Sequence, residues 1–409
     1  MSDILPFRAI RYKSTKFEQL ICPPYDIINE QERQRLFSLS KYNFVRIESP
    51  TPIGVSHRAD KLSASKASRT FKEWLKSGIL IRDKKPAYYV YTQEFTLGNK
   101  RIKRTGFFAA LKLEKKNVYN HEKISQKPIL GRLELLRKTK ANVSPVFCLF
   151  CDKKGEVSGI LKKLTHPKRL LPLLNGEKVG VRGISFEDNE NIRHTIFPVT
   201  DDKMIKKISK DFKGKKIMIA DGHHRYYTSL VYRDEIKSGT SPFDKGGQKG
   251  DLNYILTYLC PLEDPGVVVM PTHRVVRSTP GIKEKLEKTF NLTFWNGKGK
   301  PLIVAYYNGC FHQMKFKNKS LMKKFSRYTE IPSLILSKTV LSETSPDEIT
   351  YTHNIQEAVQ LAQEMCGYAF LLSPPSLRTV YKFSLAGEIM PAKTTYFYPK
   401  IPAGLVVYG

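Results

Sequence analysis

The stretch "IADGHHRYYTS" (residues 219–229) sets an aspartate, a glycine, two histidines and an arginine side by side, directly after an apolar run. Ile217, Met218, Ile219 and Ala220 read as a buried strand, and Gly222 permits a turn that residues with a side chain resist. A helix starting near His223 leaves its first backbone N–H groups without acceptors inside the helix. Those donors, the helix dipole and an arginine fork make an anion site of phosphate size, with Gly222, His223, His224 and Arg225 as the phosphate-binding residues. Adjacent helical residues diverge by about 100°, whereas helical metal pairs use i,i+4 spacing, which disfavours joint zinc ligation by the histidines. Helix capping explains Asp221 alone but not the whole Asp-Gly-His-His-Arg block. A carboxylate beside a phosphate repels it. Asp221 fits there if it holds a magnesium ion on the phosphate or takes a proton from an attacking hydroxyl.

Three other stretches have chemical content. In "CPPYDII" (22–28) two prolines fix an extended segment that presents Tyr25 and Asp26. In "NHEKI" (120–124) His121, Glu122 and Lys123 fall in a polar loop after a strand, with Arg132 downstream. In "MPTHRVV" (270–276) Pro271 breaks a strand ahead of Thr272, His273 and Arg274; a histidine and an arginine at a buried strand's end are expensive unless paired. The catalytic candidates are Asp221, His223 and Glu122, and the substrate-binding candidates are Tyr25, Asp26, His121, Arg132, Thr272, His273 and Arg274. His57 and Arg58 read as surface. Lys393 and Lys400 could reach an anion, but lysine is too common here for that signal to stand out. The chain has no G-x-x-x-x-G-K-[S/T] loop, no G-x-G-x-x-G after a strand, no G-x-S-x-G elbow and no H-E-x-x-H.

The elements that must position these residues are legible in outline. Residues 58–80 carry Leu62, Phe71, Trp74 and Leu75 near helical spacing and stop at Gly78. "PAYYVYTQEF" alternates like a strand, and "KRTGFFAALKL" makes its antiparallel neighbour. "NYILTYLCPL" and "GVVVMPTHRVV" read as further strands, the second so apolar that it should be central. After residue 278 helices and strands alternate, with a hairpin turning at Asn308-Gly309. The expected organisation is a main domain over 1–278, a small α/β subdomain over 279–375 and a segment over 376–409 that returns to the main domain.

The 409 residues are 41% hydrophobic, which suits one large domain or two modest ones. No run of about twenty apolar residues occurs, so no membrane span is expected. The opening residues lack the layout of a secretion signal, which makes the cytoplasm the expected address. Four of the six cysteines are scattered singly; Cys148 and Cys151 form a lone C-x-x-C inside a strand and read as buried thiols. The net charge of +31 comes from lysines spread along the chain, favours anionic ligands and will draw nucleic acid non-specifically at low salt.

As an ordered set, "PPYDII", "EWLKSGIL", "YYVYTQEF", "HEK", "SPVF", "IADGHHRY", "MPTHR" and "MPAKTTYFYPK" resemble, nearly end to end, a widespread bacterial and archaeal domain-of-unknown-function family. The Asp-Gly-His-His-Arg turn is similar to the phosphate-binding turn of ParB-type nucleotide-binding domains, sulfiredoxins and free serine kinases. The resemblance implies an α/β protein with a mixed sheet: a ParB/sulfiredoxin-like core, an N-terminal elaboration and a smaller C-terminal α/β subdomain. It implies ADP or ATP with magnesium as cofactors, and Asp221 beside the transferred group. It also implies serine or phosphoserine as the small metabolite. The expected function is phosphoryl transfer or phosphomonoester hydrolysis; a ParB-like nucleotide-dependent DNA switch, or an inactive scaffold, is the alternative. The sequence departs from the family at Ile124, where threonine is usual, and at Gly131, where aspartate is usual, which implies altered specificity or impaired activity.

Overall fold

Side chains alternate across the two longest strands, Tyr88–Leu97 and Lys100–Lys112, and the pair is antiparallel as the sequence predicts, with Tyr91 opposite Gly106. The computed structural model describes residues 3–52, 56–123, 126–169, 183–238 and 251–409. The chain forms two compact units: Met1–Tyr119 with Ile124–Val267 and Pro399–Gly409, and Asn120–Lys123 with Val268–Tyr398.

The first unit contains β1 (Ile4–Leu5), β2 (Ile10–Tyr12), β3 (Leu80–Arg82), β4 (Tyr88–Leu97), β5 (Lys100–Lys112), β6 (Val118–Tyr119), β7 (Val146–Phe150), β8 (Ile184–Glu187), β9 (Arg193–Val199), β10 (Ile217–Asp221) and β11 (Tyr254–Pro261). Nine of them make one mixed sheet in the order β6-β10-β7-β11-β5-β4-β9-β8, with β1 also on β5. β10 runs parallel to β6 and antiparallel to β7, and β7 is parallel to β11. One face of this sheet packs on Val157, Ile160 and Leu161 of the helix Glu156–Leu164, Ile208 and Phe212 of the helix Asp202–Phe212, and Tyr226 and Leu230 of the helix His223–Lys237. The helix Gln126–Thr139 buries Leu133 and Leu136 against Tyr232 of that last helix. The returning segment is held by bridges of Ala403 to Cys22, Val407 to Ile10 and Tyr408 to Asn142.

The second unit contains β12 (Val268–Met270), β13 (His273–Arg277), β14 (Phe290–Phe294), β15 (Ile303–Tyr307), β16 (Cys310–Phe316), β17 (Thr350–Thr352), β18 (Gly367–Leu372) and β19 (Tyr396–Tyr398). Six of these form a sheet in the order β14-β16-β15-β18-β13-β17. The β15–β16 hairpin turns at Asn308 and Gly309, both at positive φ (49° and 78°), the conformation an Asn-Gly pair tolerates best. The apolar run "GVVVMPTHRVV" is not one central strand. Pro271 splits it: among the described residues β12 is half-exposed and pairs only with β19, while β13 is interior to the six-stranded sheet. That β12–β19 pairing is also why the second unit begins at Val268 and extends to Tyr398.

Candidate functional site

Strand β10 delivers Asp221 to the start of the helix His223–Lys237 through a single residue, Gly222, at φ +88°. A side chain there would be strained, and its Cβ would stand 2.9 Å from the Arg225 guanidinium carbon. The strand ends in a bulge: Ile219 faces Cys148 but Asp221 faces Phe147, so the pairing slips by one residue and re-aims Asp221. The first i→i−4 bond of the helix runs from the Tyr226 N–H to the Gly222 carbonyl. Gly222, the residue before the helix, has no side chain with which to cap it, and no acidic residue lies in the first turn.

Two cations converge on Asp221. Lys400 Nζ lies 2.5 Å from Oδ1 and Arg225 Nη2 lies 2.7 Å from Oδ2, and all three side chains are largely buried. Burial works against the carboxylate charge, but Lys400 first, and Arg225 next, hold its pKa well below the usual carboxylate range. Burial likewise opposes the Arg225 charge, and Asp221, Asp26 and Glu48 outweigh it. The Lys400 backbone is positioned from the sheet: Gln93 Nε2 donates to its carbonyl at 3.0 Å, and Arg104 Nη2 donates to the carbonyl of Pro399.

These contacts bear on three expectations. Arg225 does not turn its fork outward to an anion; Nη2 binds Asp221 and Nη1 donates to the Pro145 carbonyl. Both Asp221 oxygens already accept from cations, so a proton taken from a hydroxyl would have to displace Lys400 or Arg225, which makes Asp221 a poor candidate for a base. A magnesium ion on Asp221 would compete for oxygens already held by those cations, and no group of three metal-ligating side chains occurs among the described residues. The residues present therefore do not favour a metal at this carboxylate.

A second buried network lies in the same unit. Glu48 is fully buried; Arg132 donates to its Oε2 at 3.0 Å and to its backbone carbonyl at 3.0 Å, and Ser144 donates to its Oε1 at 3.0 Å. The Arg132 guanidinium lies 4.6 Å from the centre of the Tyr25 ring, and the Tyr25 N–H donates to Glu48 Oε1. Burial and then the Asp26 charge push the Tyr25 phenol up. Tyr25 and Asp26 occupy a short 3-10 turn after Pro24, which is extended as its ring dictates, and Asp26 is exposed. Arg132, Ser144, Arg225 and Thr228 line one cleft, into which the buried Arg225 Nε and Thr228 Oγ1 bring no hydrogen-bond partner among the described residues.

The first unit thus holds Tyr25, Asp26, Arg132, Asp221, Gly222, His223, His224 and Arg225, and His223 is buried while His224 is half-buried. His121, Glu122, Thr272, His273 and Arg274 belong to the second unit. There His121 is buried, with Nε2 at 3.0 Å from Thr395 Oγ1, and the Lys393 N–H donates to Glu122 Oε1. Asn120 closes the loop by bonding both the N–H and the carbonyl of Glu122 at 2.9 Å. Leu372 donates its N–H to His273 Nδ1 at 3.1 Å. Ile124 lies outside the described residues, and Gly131 is a buried position of the helix Gln126–Thr139. Cys148 is buried and Cys151 half-buried, and neither is in a disulfide. Sequence reasoning missed Glu48 and Ser144 and gave Lys400 little weight.

Solved structures similar to this chain include a free serine kinase in complex with AMP (14% identity, 71% of this chain and 86% of that one, TM-score 0.36). A conserved hypothetical protein from Pyrococcus furiosus is similar over 74% of this chain and 95% of that one (14% identity, TM-score 0.35). SbnI with a C-terminal truncation, from Staphylococcus aureus, matches over 74% and 87% (9% identity, TM-score 0.40). Among curated proteins, none matches the sequence. The family model described as "Protein of unknown function (DUF1015)" matches residues 4–343, and the chain belongs to that family.

Proposed function

We propose that this protein binds a phosphate-bearing small molecule at the start of the helix His223–Lys237 and transfers or hydrolyses a phosphoryl group there. One observation carries the reading: Asp221 stands between Lys400 and Arg225 beside a helix end begun by Gly222, a residue with no side chain of its own to cap it. Lys400, Arg225 and a helix N-terminus meet at Asp221; Asp26 and Glu48 also act on Arg225, and Arg132 pairs with Glu48, so the cations and the helix end supply the positive field that a phosphate requires. The apparent conflict of a carboxylate in a phosphate site is resolved by its partners. Asp221 holds Lys400 and Arg225 in place rather than acting as a base.

In this reading the backbone of Gly222, His223 and His224 and the Lys400 ammonium hold the phosphate, and Arg225 braces the turn from behind. A bound nucleotide would supply the transferable phosphoryl group. The residue of the turn assigned to moving a proton is His223, whose buried imidazole has one ring nitrogen to donate and one to accept. The motif resemblance makes serine and phosphoserine the first metabolites to try. The test is a turnover screen of the full chain: ATP or ADP with serine and other hydroxy acids, and phosphate release from phosphoserine and related esters, each with and without magnesium. Turnover that is lost in Lys400→Met is the expected result. If the wild-type chain neither binds nor converts any phosphate-bearing compound of the panel, the reading falls.

A further inference from the structure

The "MPTHRVV" motif is not absorbed by the site at Asp221. Alternation along the chain sends the Thr272 and Arg274 side chains to one face and His273 to the other. Arg274 is 1% exposed and Thr272 7%. Arg274 Nη1 donates to the Thr272 carbonyl at 3.0 Å, and the guanidinium lies over the Tyr351 ring, 5.6 Å from its centre, so its plane is fixed. Yet among the described residues Arg274 Nη2 and the Thr272 hydroxyl, both buried, have no hydrogen-bond partner, and Arg274 has no ion-pair partner. Burial pulls the arginine pKa down, which Tyr351 and Glu122 only partly offset. Across the strand, His273 Nδ1 accepts from Leu372, so the neutral ring carries its proton on Nε2, a further buried donor without an acceptor. The motif therefore gathers unmatched donors, and a buried guanidinium in that state is costly unless an anion meets it.

We propose that Arg274 and Thr272 form a second oxyanion-binding site, which takes the carboxylate or phosphate group of a small metabolite. A planar fork beside a hydroxyl matches two oxygens of either group. This proposal is independent of the phosphoryl-transfer reading.

The test is thermal denaturation of the full chain at constant ionic strength, with inorganic phosphate or acetate replacing chloride. The background is Lys400→Met, which disables the first site. A probe held tenfold above its Kd should raise the Tm of this 409-residue chain by about 2 °C. Arg274→Met should abolish that rise while leaving Tm without the probe equal or higher, since an uncompensated buried charge has gone. Thr272→Val, which keeps the shape, should reduce the rise, and it decides the matter if the Arg274 variant does not fold. The probe that works identifies the group, phosphate or carboxylate. An equal rise in both variants, or no rise with either probe in Lys400→Met, overturns the second site; loss of phosphate binding in Lys400→Met alone would leave only the first.

Discussion

Asp221 meets two cations within hydrogen-bond distance while largely buried, so its charge is part of the local architecture. Asp221→Asn preserves the shape but leaves Lys400 and Arg225 facing each other without their carboxylate. Breaking a buried ionic group in this way should cost on the order of 3–5 kcal/mol, read as a lower urea midpoint. An unchanged midpoint would show that the cations do not depend on Asp221. His273 gives a pH signature. Burial, then His353 and Arg274, push its pKa down to about 4. The unfolded imidazole titrates near 6.5. The folded state therefore resists the proton, so its contribution is present above about pH 6.5 and is lost as pH falls from there toward 4. His273→Gln should flatten stability over that window, measured by denaturant unfolding at pH 5 and pH 7.5; an equal slope would assign the dependence to other groups. The partners that define these sites were the least legible part of the sequence. Glu48 lies 84 positions from Arg132, and Lys400 lies 179 from Asp221, in a chain with 69 lysines and arginines.

Elements were easier to read than partners, because local periodicity and turn chemistry decide them. Strand, glycine and helix at 217–237 follow from an apolar run, a residue free to take positive φ and a helical pattern after it. The Asn308-Gly309 hairpin is equally local. The split of "GVVVMPTHRVV" was half-visible: Pro271 marked the break, but only the tertiary pairing of β12 with β19 shows that its first half is not central. The bulge at Asp221 left no mark in the sequence. The Gly222 turn makes the element-scale prediction. Gly222→Ala forces a side chain into the left-handed region, at roughly 1–2 kcal/mol, and drives its Cβ against Arg225. Stability should fall by at least that amount, with phosphate affinity falling as the guanidinium shifts. Wild-type values for both in calorimetry and urea unfolding would mean that the turn has another conformation.

The whole molecule carries a net charge of +31, and among the described residues no helix is long and apolar enough to cross a membrane. Distributed lysines act on nucleic acid through counterion release. DNA binding should therefore be visible at low salt, indifferent to sequence and steeply weakened as salt rises. Fluorescence anisotropy with two unrelated duplexes across a salt series checks this. Sequence-selective binding gated by nucleotide at physiological salt would instead support a DNA switch. The mixed sheet and the two-unit organisation give the charge a fold to act from, but the specific chemistry rests on one turn. Its most direct test is calorimetric titration of ATP and of phosphoserine into the full chain and into Lys400→Met. Losing a charge-assisted contact to phosphate should weaken binding by about 2–3 kcal/mol, roughly thirty- to over a hundredfold, with the folded state retained. Equal affinity of the folded variant and the wild type for both ligands would contradict a phosphate site at the start of the helix His223–Lys237.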